Sequence, residues 1–147
     1  MTNRFHIAIA AGDLDVALGF YCDILGCSMG NSEDSWADVD FWGNELTLHA
    51  TDPKSGLFLQ KSHLHNVDEE MVVVPHFGVH LNSVDFHLAK QRLQDAGIEY
   101  LSPPYTRFED SDLEQETFFI EDPNHNVIEL KTMKMPDALF KDSNNSL

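Results

Sequence analysis

The chain has 147 residues, 42% hydrophobic and 10% aromatic, which is enough to build one domain around a single core. Its 25 acidic against 9 basic residues give a formal charge of -16, a surface that repels nucleic-acid phosphates and excludes them as partners. No apolar stretch reaches the roughly 18 residues a membrane span needs, and Met1-Thr2-Asn3-Arg4 leads into the first strand without a signal-like core, so a cytoplasmic protein with no membrane partner is expected.

Residues 5–10 read as a nearly continuous apolar strand, closed by Gly12-Asp13, with Asp13 placed to cap the helix that follows. Leu14, Ala17, Leu18, Tyr21 and Leu25 recur at helical spacing, predicting a helix of about 13 residues that Gly26 stops. Cys22 and Cys27 lack the second pair a zinc site would need and read as reduced structural thiols. After an expected turn at Gly30-Asn31-Ser32, the segment Trp36–Phe41 alternates apolar and acidic residues as a half-exposed strand does. A tight turn at Trp42-Gly43-Asn44 then leads into a partner strand over Glu45–His49.

Residues 51–74 break this pattern, and a connection of that length reads as a linker between units, a loop covering a site, or both. Within it, His63-Leu64-His65 looks like a chelating pair, although a loop offers no supporting shell to hold it. A second unit then begins with a strand over His76–Leu81. Asn82-Ser83 supplies a cap candidate, and Val84, Leu88, Leu93 and Ala96 form the expected buried stripe of a helix ended by Gly97. Ile98–Leu101 should begin the next strand before Pro103-Pro104 interrupts it. Glu116–Ile120 and Val127–Leu130 are expected to form a hairpin around the turn-rich Glu121–Asn126, and the end of the chain has little to bury.

Set in register at a separation of roughly 70 residues, His76 falls on His6, Val79 on Ile9, Val84 on Leu14 and Leu88 on Leu18, so the chain reads as two copies of one unit. Each copy opens with a histidine on a buried strand, and each closes with a strand carrying a possible ligand, His49 in the first and Glu129 in the second. A lone strand histidine is more often a core residue than a ligand. Its repetition at equivalent places is what raises a metal site shared by two half-domains.

Two βαβββ units, the helix signature Asp15-x5-Tyr21-x3-Leu25-Gly26 and the hairpin Asp122-Pro123-Asn124-His125-Asn126-Val127-Ile128-Glu129-Leu130 together resemble the vicinal oxygen chelate superfamily, which includes glyoxalase I, fosfomycin- and bleomycin-resistance proteins and type I extradiol dioxygenases. Pro75-His76-Phe77-Gly78-Val79 with Pro104-Tyr105-x-Arg107-Phe108 is similar to a smaller, extradiol-dioxygenase-like family within it. The resemblance implies an α+β fold, two tandem βαβββ units (about 4–50 and 75–133) curved into a cup-shaped, glyoxalase-like mixed sheet within one domain over 1–133, followed by a flexible tail over 134–147.

It also implies His6, His76 and Glu129 as metal ligands, with Fe(II) the first choice of divalent cation and Zn, Ni or Mn as alternatives. His49 departs from the extradiol pattern and is open between a fourth ligand, a general base and packing. Tyr105 and Arg107 would sit at the rim, to bind or stabilise an anionic substrate, or else are surface residues. The implied function is ring cleavage of a catechol-like small molecule by a homodimer, with a glyoxalase I-like isomerase or lyase second and a metal-free ligand binder third.

Overall fold

The computed structural model describes residues 3–52, 63–67 and 70–141, with the backbone alone at 63–67, 70 and 71. Two four-stranded mixed sheets carry the fold. The first contains β1 (His6–Gly12), β2 (Ser28–Glu33), β3 (Trp36–Phe41) and β4 (Asn44–Ala50) in the order β1-β4-β3-β2. A hairpin of β5 (His63–Val67) and β6 (Glu70–Val74) follows, then a second sheet of β7 (Phe77–His80), β8 (Ser102–Arg107), β9 (Gln115–Glu121) and β10 (Val127–Met133) in the order β7-β10-β9-β8. In each sheet the opening strand lies parallel to the closing one, β1 on β4 and β7 on β10, and the other pairs are antiparallel. This is the expected α+β pair of βαβββ units.

The first helix begins as α1 (Leu14–Leu18), capped by Asp13 Oδ1 accepting from Val16 N, and runs on as a wide turn over Gly19–Ile24. There Leu25 N reaches back five residues to Phe20 O, a π-type bond that ends in Gly26 at φ 82°. The second helix, α2 (Ser83–Asp95), is capped by Asn82 Oδ1 accepting from Asp85 N. Trp42 and Gly43 both take positive φ, 47° and 90°, so β3 and β4 are joined by the mirror-image turn that suits the strand twist.

Both helices lie on one side. Ala17, Phe20, Tyr21 and Leu25 from the first helical segment and Phe86, Ala89 and Leu93 from α2 form one core with Val39, Phe41, Leu46 and Leu48 of the first sheet and Phe118, Ile120, Ile128 and Leu130 of the second. The intervening positions on the strands form the opposite faces, turned away from this core. The units are also clasped through polar groups. Tyr21 donates its hydroxyl to Asp122 Oδ2 at 2.7 Å, while the side-chain amides of Asn124 and Asn126 both donate to Ala10 O at 2.8 Å. Burial, followed by the neighbouring Asp122 carboxylate, holds the Tyr21 phenol well above its usual range, so it stays a donor. Both cysteines are free, and burial pushes Cys27 up to about 12 and Cys22 in the same direction.

Four expectations change. The predicted turn at Gly30-Asn31-Ser32 is part of β2, a strand exposed along its whole length, so no apolar alternation marked it. In α2 the buried stripe is Phe86, Ala89 and Leu93, whereas Val84 is 76% and Leu88 48% exposed and Ala96 is exposed too. The repeat is also inexact: Ala10 pairs with His49 and Gly12 with Ala50, leaving Ala11 as an extra residue in β1. One constant offset cannot therefore align both the strands and the helices, and a one-residue slip rotates a helix by about 100°. Residues 98–101 are not a strand, and β8 contains Pro103 and Pro104, tolerated because it is an edge strand with a register shift between Ser102 and Tyr105. Finally, the connection at 51–74 contains the β5–β6 hairpin, of which Val72 is buried against Phe119 and Val127. Residues 53–62 lie outside the described part, as do the side chains of His63 and His65.

Candidate metal centre

Strand register decides which side chains share the face away from the core. Across the second sheet, Gly78, Glu129 and Phe119 form one row, and His80, Lys131, Thr117 and Tyr105 the next. Arg107, opposite Gln115, belongs to the row after that, so Tyr105 and Arg107 share a face with Glu129. Arg107 places its guanidinium 4.7 Å from the Phe108 ring centroid.

His76 sits just before β7, its ring edge-on to Phe119 at 5.1 Å. Its Nδ1 is 2.6 Å from Val73 O, and since a carbonyl only accepts, Nδ1 carries a proton and Nε2 is the nitrogen offered to the site. Nε2 lies 3.3 Å from Glu129 Oε1. The other oxygen, Oε2, accepts from the Thr117 hydroxyl at 2.6 Å in a fully buried contact. The Lys131 ammonium stands 3.5 Å from Oε1.

The hydrogen bond with Glu129 raises His76 above the ordinary histidine value, burial works against it, and the Val73 carbonyl adds to the rise. For Glu129, burial is the largest influence and pushes upward. Hydrogen bonds from His76 and Thr117, with Lys131 nearby, outweigh it and leave the carboxyl below its usual value. His80, in the Lys131 row, is held low first by burial and then by the Lys131 charge.

His6 is elsewhere. It lies on β1 of the first sheet, where Nδ1 donates to Glu45 Oε1 at 2.6 Å with both side chains more than half exposed. Among the described residues no three His, Cys, Asp or Glu side chains converge into a set able to hold a metal. The register also reassigns His49. In the first sheet His6 is opposite Glu45 and Ala8 opposite Thr47, and in the second Phe77 is opposite Ile128 and Gly78 opposite Glu129. The position equivalent to Glu129 is therefore Thr47, whose hydroxyl donates to Asp38 Oδ1 at 2.7 Å, and His49 corresponds to Lys131.

Sequence reasoning missed Thr117, Lys131 and His80. The available signal was parity: Lys131 lies two residues beyond Glu129, and His80 two beyond Gly78.

Comparison with known proteins identifies the fold. The description of the Glyoxalase/Bleomycin resistance protein/Dioxygenase superfamily matches residues 4–130. The chain belongs to that superfamily. A superfamily structure from Alicyclobacillus acidocaldarius is 28% identical, with TM-score 0.73 over 95% of this chain and 97% of that one. The genomically encoded fosfomycin resistance protein FosX from Listeria monocytogenes gives 16% identity and TM-score 0.66, covering 95% and 99% of the two chains. A lactoylglutathione lyase from Agrobacterium tumefaciens gives 19% and 0.58, covering 90% and 94%. The last two share the fold. No curated protein sequence matches the chain significantly. The glyoxalase-superfamily chain contains no helix long and apolar enough to cross a membrane among its described residues.

Proposed function

We propose that this protein is a metal-dependent enzyme that chelates a small substrate through two neighbouring oxygens, and that its reaction is extradiol-type ring cleavage of a catechol-like diol. The observation that carries this is the way His76 and Glu129 are held. A histidine with Nδ1 fixed on a backbone carbonyl, and a buried carboxylate with Oε2 fixed by a hydroxyl, leave Nε2 and Oε1 facing one another as the two groups a cation could take in exchange for a proton. Metal ligands are characteristically oriented in this way. The donor set suits a divalent cation.

Thr47 supports the choice of reaction. Glyoxalase I, as the resemblance implies, takes a carboxylate from the closing strand of the first unit, and here that place holds a hydroxyl already bonded to Asp38. Two histidines and one carboxylate then leave one side open. A cation held there, Fe(II) first and Zn, Ni or Mn as alternatives, would supply Lewis acidity to the two substrate oxygens and, as Fe(II), a place for O₂. The chain's own groups do the rest. Arg107 clamps an anionic substituent, Tyr105 donates to a developing oxyanion, and His49, on the same sheet as His6, takes the proton of a substrate hydroxyl when that sheet completes the site.

The third ligand fits best as His6 of a second copy in a homodimer. His6 stands exposed on the edge strand β1, apart from His76 and Glu129. An apolar groove of about 470 Å³, lined by Phe5, Ile7, Phe77, Val79 and Phe140 among others, lies beside the edge strands β1 and β7. Phe5 is 64% and Phe140 94% exposed, apolar surface that a partner would cover.

The test is anaerobic loading with Fe²⁺ followed by a catechol and then O₂. The reading expects one O₂ consumed per catechol and a ring-opened absorbing product. Metal uptake without oxygen consumption across several catechols would move the assignment to isomerase or lyase chemistry. Failure to take up Fe²⁺, Mn²⁺, Zn²⁺ or Ni²⁺ would leave a metal-free binder.

A further inference from the structure

Among the described residues β5 and β6 pair only with one another, so no strand ladder seats this hairpin on the second sheet. What seats it there is Val72, 7% exposed and packed with Phe119 and Val127, with Val73 partly buried beside them. Phe119 lies opposite Glu129, and Val127 two residues before it on the same face. From this contact the path to His76 is short. The His76 ring meets Phe119 edge-on at 5.1 Å, and its Nδ1 donates to Val73 O at 2.6 Å. Val72 therefore borders both supports of the ring, one through a shared neighbour and one through the next residue of its own strand.

We propose that Val72 is the positioning residue of His76: by seating the β5–β6 hairpin on Phe119 it fixes the Val73 carbonyl, and with it the direction in which Nε2 faces Glu129. This rests on the reading above only in that His76 belongs to the site, and it involves neither cation nor substrate. The physical reason lies in where the chain is held. After His76 the backbone is tied down by β7, which pairs with β10 from Phe77 onward. Before it the chain belongs to β6, whose ladder partner is β5. His76 thus stands at the joint between a strand fixed in the sheet and a hairpin held to that sheet by side-chain packing. Hydrogen bonds weaken steeply with misalignment, so a small tilt of β6 is enough to release the ring from Val73 O. Were Val72 no more than a packed residue, its loss would lower stability and leave the ring where it is.

The test is proton NMR of the full-length, metal-free chain near about pH 5.5, where a histidine ring carries both protons. A proton held by Val73 should give a low-field Nδ1–H resonance, assigned by its disappearance in His76→Gln, and the ring should show a cross-peak to that of Phe119. Val72→Ala should weaken the cross-peak and speed exchange of the Nδ1 proton with water about 10-fold or more, because removing two buried carbons makes local opening of the hairpin that much commoner. Val72→Ile, which keeps the apolar contact, should restore both signals. Val72→Thr keeps the shape and loses apolar character, so it should repeat the alanine result to a smaller degree, and it serves if Val72→Ala does not fold. Val39→Ala, the same truncation in the core beside the first sheet, should lower the urea midpoint and leave both His76 signals as they are. A wild-type spectrum without the Nδ1–H resonance would overturn the proposal, since Val73 would not be holding the ring. So would His76 signals that stay unchanged in Val72→Ala, or that change equally in Val39→Ala. None of these signals depends on the reaction, so a failure here is distinct from a failure of the catechol assay.

Discussion

Thr117 is the side chain whose loss should weaken metal binding although it is no ligand. It is fully buried, and its hydroxyl is the group that fixes Glu129 Oε2 at 2.6 Å. Thr117→Val keeps the shape and removes the donor, so Zn²⁺ affinity in chelator competition should fall about 10-fold, with little change in secondary structure. An unaltered affinity would mean that Glu129 needs no such support. The neighbouring His76 gives a pH signature in metal-free protein. Its value is raised, so its contribution to stability is complete below the ordinary histidine value of 6.5 and is lost as pH climbs through the higher folded value. Glu129, held below 4.5, contributes above that value and loses its share as pH falls further. The pair is therefore most stabilising between 4.5 and 6.5. The gap in urea midpoint between wild type and His76→Gln should be larger near about pH 5.5 than near about pH 8.5. A gap that widens toward alkaline pH would contradict this. His76 and Glu129 were legible in the sequence because they sit in a repeated strand opening and a turn-rich hairpin. Thr117 and Lys131 were not, since a Thr and a Lys on strands carry no distinguishing signal until the β9–β10 register places them beside Glu129.

At the scale of elements, the packing of β7 on β10 turns on Gly78. A Cβ added there would lie 1.8 Å from the carbonyl oxygen of Glu129, a backbone atom that cannot give way cheaply. Gly78→Ala should force the two strands apart, at a cost of about 3 kcal/mol or more, and shift His76 relative to Glu129, so that both the urea midpoint and metal retention fall. Wild-type stability in this variant would show that β7 is seated differently. Element identity was largely readable: the caps at Asp13 and Asn82, the alternation of β3 and β4, and the β9–β10 hairpin all follow from local pattern. What local pattern hides is the effect of one residue on register. Ala11 bulges from β1, so the offset of 70 that superposes His6 on His76 becomes 69 beyond the bulge, where the buried Ala17 and Phe20 fall on the buried Phe86 and Ala89. In the same way, Thr47 rather than His49 turns out to match Glu129. The Tyr21 and Asp122 motifs, read as marks of the superfamily, prove to be the two ends of one hydrogen bond that ties the units together.

The whole molecule poses a geometric question that mixing two variants answers. One core binds one face of each sheet, so the faces bearing His6 and His76 are both turned away from it, and the His76–Glu129 pair lacks a third ligand from the described part of its own chain. In the homodimer reading each site takes His6 from one copy and His76 with Glu129 from the other. His6→Ala and His76→Ala homodimers should then each lose the metal from both sites. A heterodimer of the two variants concentrates both lesions in one site and leaves the other with a complete set of ligands. Unfolding the variants together at equal amounts and refolding them pairs chains at random, so about half of the dimers should be mixed, each with one working site. The metal bound should recover to about a quarter of the wild-type amount, with wild-type affinity in the recovered fraction. A site closed within each chain would recover nothing on mixing, because no chain in the mixture holds both histidines. That outcome would return the third ligand to the chain's own β1 and require the two sheets to close on one another when the metal binds.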